Sequence, residues 1–98
     1  MFIVASSTYV NDGIFFSLRA CSCVGVFTTK EKAIDEAIKA LKDVVKKIED
    51  IDSYKELLEK ANFCSIGINK NYEETDDEDM QFIIGLAIKE CELDKPIK

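Results

Sequence analysis

The order of hydrophobic patterns predicts an α+β protein, a small two-layer sandwich with elements in the order ββααββ. Three observations carry this prediction. A β-favouring segment, "FIVASSTYV", runs into Asn11-Asp12-Gly13; a long amphipathic stripe follows over residues 34–48; and two short apolar runs, 63–69 and 80–93, close the chain. With 98 residues, 47% of them hydrophobic and 33% charged, the chain has the balance of one globular domain spanning residues 1–98.

The first element is a hairpin. Asp12-Gly13 tolerates the positive φ of a two-residue turn, so a strand is predicted at 14–26. In that register Asn11 faces Ile14, Tyr9 faces Phe16, Ser7 faces Leu18 and Ala5 faces Ala20. Ile3, Ala5, Tyr9, Phe16 and Leu18 then share one face, with Phe2, Val4, Phe15, Cys21 and Cys23 on the other. Neither face is plainly polar. Next, Thr28-x-x-Glu31 reads as a capping box, and Ile34, Ala37, Ile38, Leu41, Val44, Val45 and Ile48 recur at helical spacing. Asp35 with Lys39 and Asp43 with Lys47 would pair along its outer side. A second box, Ser53-x-x-Glu56, opens a short helix through Leu57, Leu58 and Ala61. Residues 63–69, "FCSIGIN", read as a strand.

The final segment supports two readings. Met80, Ile83, Ile84, Ala87, Ile88 and Cys91 form a helical stripe, and Thr75-x-x-Glu78 would cap it. Phe82, Ile84, Leu86 and Ile88 alternate as a strand, and Gly85 weakens a helix by about 1 kcal/mol. A strand paired with 63–69 closes the sandwich and is the expectation here, with a helix as the alternative.

Charge is segregated along the chain. Residues 1–27 hold only Asp12 and Arg19; residues 28–61 hold eight lysines against nine acids; residues 62–98 hold four lysines against nine acids. Five of the six net negative charges therefore fall in the last third. One arginine and no basic cluster argue against direct nucleic-acid binding. No basic leader or long apolar run follows Met1, so no membrane span and a cytoplasmic location are expected. Four dispersed cysteines agree, since they lack the spacing of a secreted disulfide scaffold.

The segment Gly25-Val26-Phe27-Thr28, with Lys30-Glu31-Lys32-Ala33 leading into the helix, and the closing Glu92-Leu93-Asp94 resemble small uncharacterised α+β proteins of bacteriophages and bacterial mobile elements. The resemblance covers the first 40 residues or so and the last dozen. It implies an α+β fold and a phage-like origin acting in the cytoplasm of a host bacterium, and carries no active site.

Chemistry is sparse. No histidine is present, so a Cys or Ser nucleophile lacks its commonest activator and no enzyme is expected. Cys21-x-Cys23 is not a zinc knuckle, and Cys64 and Cys91 stand alone; buried reduced thiols without a metal are expected. The feature that stands out is "NYEETDDEDM", residues 71–80. It lacks the Gly and Glu positions of a calcium loop, and no cofactor is expected. As a surface it offers Tyr72, Glu73, Glu74, Asp76, Asp77, Glu78 and Asp79 to a host protein with a basic surface, plausible work for an anti-CRISPR or anti-restriction inhibitor of a nucleic-acid-handling defence factor. The same run reads equally as a solvated turn. Two other readings stand beside it: a homodimer sequestering a nucleotide-like small molecule, and a structural or assembly module pairing through a sheet edge or the second face of the first hairpin.

Overall fold

The computed structural model describes residues 1–11, 13–75 and 80–91. Its order is β1 (Phe2–Asn11), β2 (Phe16–Phe27), α1 (Lys30–Val44), α2 (Ile51–Ala61), β3 (Phe63–Ile68) and β4 (Phe82–Glu90). The element order is the predicted ββααββ, and the strands form one antiparallel sheet in the spatial order β2-β1-β4-β3.

The final segment is a strand, and the helical alternative is excluded. β4 lies inside the sheet, pairing with β1 on one side and β3 on the other, so both edges of its backbone are satisfied. Its even-numbered Ile84, Leu86 and Ile88 are buried. Gly85 also fits this place: a Cβ there would come within 2.8 Å of the Ser7 hydroxyl.

One face of the sheet makes the core. Val4 of β1, Cys64, Ile66 and Ile68 of β3 and the buried β4 residues pack against Ala33, Ala37, Ile38 and Leu41 of α1 and Leu58 of α2. The small Ala33 and Ala37 let α1 approach the sheet closely. At the far side of the helix layer, the Lys30 ammonium donates to the Glu59 carbonyl at 2.6 Å, fastening the start of α1 to the end of α2.

Both helix starts differ from the predicted boxes. α1 is capped by Thr29, one residue later than Thr28, with its hydroxyl accepting from the Lys32 amide at 3.2 Å. α2 is capped by Asp50, whose carboxylate accepts from the Ser53 amide at 3.2 Å; Ser53 is therefore inside the helix. α1 also ends sooner than its apolar stripe. Val45 is the C-cap and Ile48 lies beyond it, because the Lys46 amide leaves the helix to donate to the Tyr72 carbonyl at 2.7 Å. Lys47 is thus not helical, and neither it with Asp43 nor Lys39 with Asp35 forms an ion pair; Glu56 and Lys60 do, at 2.6 Å.

Asn62 ends α2 in the left-handed conformation, φ 60°, with its amide donating to the Leu58 carbonyl. Asn tolerates this region and a residue with a plain Cβ does not. Asn62→Ala should cost about 1 kcal/mol, read as a lower urea midpoint with an unchanged slope.

The first hairpin corrects the predicted register. Asn11 pairs with Phe16, not Ile14, so the loop is wider than Asp12-Gly13; Asp12 lies outside the described residues. Gly13 has φ 98° and its amide donates to the Asn11 side-chain oxygen, an Asx turn. A shift of two keeps face membership, so Ile3, Ala5, Tyr9, Phe16 and Leu18 do share a face. An extra residue, Arg19, then enters β2 between the partners of Thr8 and Tyr9 and reverses the alternation, until a second extra residue, Val24, between the partners of Val4 and Ala5 restores it. Cys21 and Cys23 consequently stand opposite Ser7 and Ala5, on the Ile3 face and not on the Val4 face.

Candidate functional site

Two surfaces compete: the acidic run and the sheet face turned away from the helices. The root of the acidic run is built into the fold. Asn69 accepts at its side-chain oxygen from the amides of Asn71 and Glu73, and the Tyr72 amide donates to the Asn69 carbonyl, so the chain turns sharply. Tyr72 takes φ 63°, rare for a bulky residue, and its ring stacks on Phe82 with centroids 5.7 Å apart. Residues 73–75 then run along β3: the Asn69 amide donates to the Glu73 carbonyl, and the Thr75 amide donates to the Gly67 carbonyl. On its other side the same segment meets the link between the helices, through Lys47 paired with Glu73 and the Glu74 amide donating to the Lys47 carbonyl. The clasp closes the C-terminal end of the outer edge of β3, at residues 67–69.

Glu74 locks the clasp with its side chain. One carboxylate oxygen accepts from the Glu49 amide at 2.9 Å, and the other from the Tyr54 hydroxyl at 2.5 Å. The carboxylate thus ties the root of the run to the first turn of α2. Of the predicted contact residues, Tyr72, Glu73 and Glu74 are brought together here, and Glu73 remains exposed; Asp76, Asp77, Glu78 and Asp79 lie outside the described residues. No sequence signal separated Glu74 from its neighbours, because its partners Glu49 and Tyr54 are 20 or more positions away.

Burial raises the Tyr54 hydroxyl above its ordinary value of 10.0, and the Glu74 hydrogen bond and charge add to the rise. Burial alone pushes the Cys64 thiol up from 9.0 to about 11. Both groups hold their protons longer folded than unfolded. Their contribution to stability is complete below the unfolded values and is lost as pH climbs through the folded ones. Alkaline titration should therefore show stability falling from about pH 9 upward, and Cys64→Ala should flatten the part between about pH 9 and 11, measured by urea midpoints at each pH.

A groove of about 380 Å³ adjoins the clasp, lined by Glu49, Tyr54, Glu74 and Thr75 among others. Two carboxylates in its wall repel phosphate, which counts against a nucleotide in this place. Among the described residues no group of three or more Cys, Asp or Glu is arranged to hold a metal ion, and no helix is long and apolar enough to cross a membrane.

The second surface is the outer face of the sheet. Along the strands its cross-strand rows are Val26, Ile3 and Lys89; Cys23, Ala5, Ala87 and Phe63; Cys21, Ser7, Gly85 and Ser65; then Leu18, Tyr9, Ile83 and Gly67. Among these positions Lys89, in the end row, is the one charged residue, in a chain that is 33% charged. Among the described residues no helix or strand covers this face. Leu18, Val26 and Phe63 are each at least half exposed. The Phe63 ring lies across Gly85, 3.5 Å from where a Cβ would sit, and so partly shields the centre.

The cysteines divide between the two sides of the sheet. All four are free; Cys64 is buried as expected, whereas Cys21 and Cys23 are exposed, the bulge at Arg19 having moved them to the outer face. A dilute sample treated with a maleimide should label Cys21 and Cys23 first and Cys64 only on unfolding, read by peptide mass spectrometry.

Comparison with known proteins leaves the assignment to this geometry: no family model, curated protein or solved structure matches the chain.

Proposed function

We propose that this chain is a non-catalytic protein-interaction module that works through the outer face of its sheet. The observation that carries this reading is the charge pattern of that face. An antiparallel sheet covered on one side ordinarily alternates apolar inward and polar outward, and a face in water carries charges. Here the outward positions are apolar or small up to the end row, while the charges crowd the helices and the residues after β3. Absence of histidine and of a metal-ligating cluster among the described residues is in keeping with binding rather than catalysis.

A second reading rests on a separate observation, the clasp that fixes the root of the acidic run with Glu73 exposed beside it. In that reading a phage-type inhibitor presents Glu73, Asp76, Asp77, Glu78 and Asp79 to a basic host protein, while Tyr72 and Glu74 hold the presenting loop. One binding experiment separates the two. Wild type, an Ala5→Glu variant and a variant with Asp76, Asp77, Glu78 and Asp79 changed to Asn or Gln are immobilised after circular dichroism confirms each fold. Binding abolished only by Ala5→Glu supports the sheet face; binding abolished only by neutralising the run supports the acidic surface and overturns the first reading.

A further inference from the structure

The same face carries an inference about its occupant, which rests on the reading of that face as the contact surface. We propose that it is covered by the same face of a second copy of this chain, giving a two-fold sandwich of two sheets with the helix layers outermost.

Charge selects the occupant. A nucleic acid would need clustered basic groups and a basic protein would need acidic ones, and the paired positions of this face offer only Lys89 in its end row. The surface it matches is another uncharged one, and the chain carries such a surface itself. Self-association through the residues that follow β3 would bring together the acids that hold five of the six net negative charges, and the helix layer, with eight lysines against nine acids over residues 28–61, is strongly hydrated. Face-to-face packing turns α1 and α2, with their carboxylates, away from the partner.

Shape and size agree. The middle of the face is built of the small residues Ala5, Ser7, Gly85 and Ala87 with the Phe63 ring lying across Gly85, so a second sheet can pack at the usual distance of about 10 Å with Phe63 among the interlayer side chains. Strands about 4.8 Å apart and rising about 3.4 Å per residue, with nine positions in each of three strands and the six residues of β3, span a flat footprint of about 540 Å². Side-chain relief brings the accessible area toward the roughly 800 Å² per partner of a stable interface. The sheet edges are the rival route, and one of them is partly closed: residues 73–75 clasp β3 at residues 67–69, so the β2 edge offers the longer run for strand-to-strand pairing.

Sedimentation equilibrium on the reduced full chain, from micromolar to millimolar, tests this. The expected result is a dimer of twice 11.1 kDa that persists in high salt, because the contact is apolar. Ala5→Glu should raise its dissociation constant by about 100-fold or more, since a charge would be buried without a partner, while Lys39→Glu on the helix layer leaves it unchanged. Ser65→Lys, at an exposed position on the same face, serves if Ala5→Glu does not fold. Cys21 and Cys23 should react more slowly with a maleimide in the dimer than after dilution.

A dimer that survives Ala5→Glu and Ser65→Lys but dissociates with Ser22→Pro in β2 would mean edge pairing and would overturn the proposal. A folded wild type that stays monomeric at millimolar concentration overturns it as well. If that monomer still bound another protein, and Ala5→Glu abolished the binding, the face would remain the interaction surface and only the second copy would fall. If Ala5→Glu left all binding unchanged, both would fall.

Discussion

Leu58→Ala should destabilise the protein by about 2–5 kcal/mol, the largest loss expected from any single truncation in α2. Leu58 is fully buried and is the one residue of α2 with that status. The helix is 11 residues long, too short to persist by propensity, so its place depends on what it packs. Ile51 and Tyr54 reach the core only in part, and Leu57 is 43% exposed. Removing the Leu58 side chain therefore loses its transfer free energy and leaves a cavity where α1, α2 and the sheet meet. The adjacent Leu57→Ala is the control and should cost less than about 1 kcal/mol. In thermal melts the difference should read as about 4–8 °C per kcal/mol for a domain of this size. Equal shifts for the two variants would mean that α2 is not held through Leu58.

Glu74→Ala should cost about 2–3 kcal/mol, while Glu73→Ala stays within about 0.5 kcal/mol of wild type. The two residues are neighbours of identical chemistry, and only the fold separates them. Glu74 accepts two hydrogen bonds, from the Glu49 amide and the Tyr54 hydroxyl, and those bonds close the clasp on β3. The Glu73 side chain is exposed, and its contribution to the clasp comes from its backbone, which alanine retains. Tyr54→Phe removes one of the two bonds and should fall between these values. Urea unfolding of the four proteins checks the order. If Glu73→Ala cost as much as Glu74→Ala, the acidic run would be supported as a whole and not through one carboxylate.

The charge segregation, the two hairpins, the helix pair and their order were all legible in the sequence, because each rests on a local period: two along a strand, 3.6 along a helix. The strand reading of 80–93 was legible for a different reason. Phe82, Ile84, Leu86 and Ile88 keep the strand period while Met80, Ile83, Ile84, Ala87, Ile88 and Cys91 keep the helical one, and what favoured a strand was the need of residues 63–69 for a partner. Helix ends were less legible. Thr28 and Thr29 are both capping residues, and Asp50 competes with Ser53; the choice falls to whichever lets the following stripe face the sheet.

The candidate surfaces show the same division. The acidic run was visible as composition, but composition could not tell that the Glu74 carboxylate is spent on the start of α2, since Glu49 and Tyr54 are remote in sequence. The outer face was partly visible, as Ile3, Ala5, Tyr9, Phe16 and Leu18. Its completion by Cys21, Cys23, Phe63, Ile83 and Ala87 was not. Two bulge residues, Arg19 and Val24, reverse and then restore which side of β2 faces out, and nothing local marks them.

By itself, then, the order of residues determined the element types, the fold class and the uneven charge, because these follow from short-range periodicity and side-chain chemistry. Only the tertiary structure decided which face of the sheet the helices cover, which edge is closed, and which of two adjacent glutamates is structural. The first and the last depend on contacts between segments 20 to 90 positions apart, and the closed edge on a turn at Asn69 that folds residues 73–75 back on β3, where no local preference fixes which face or edge results.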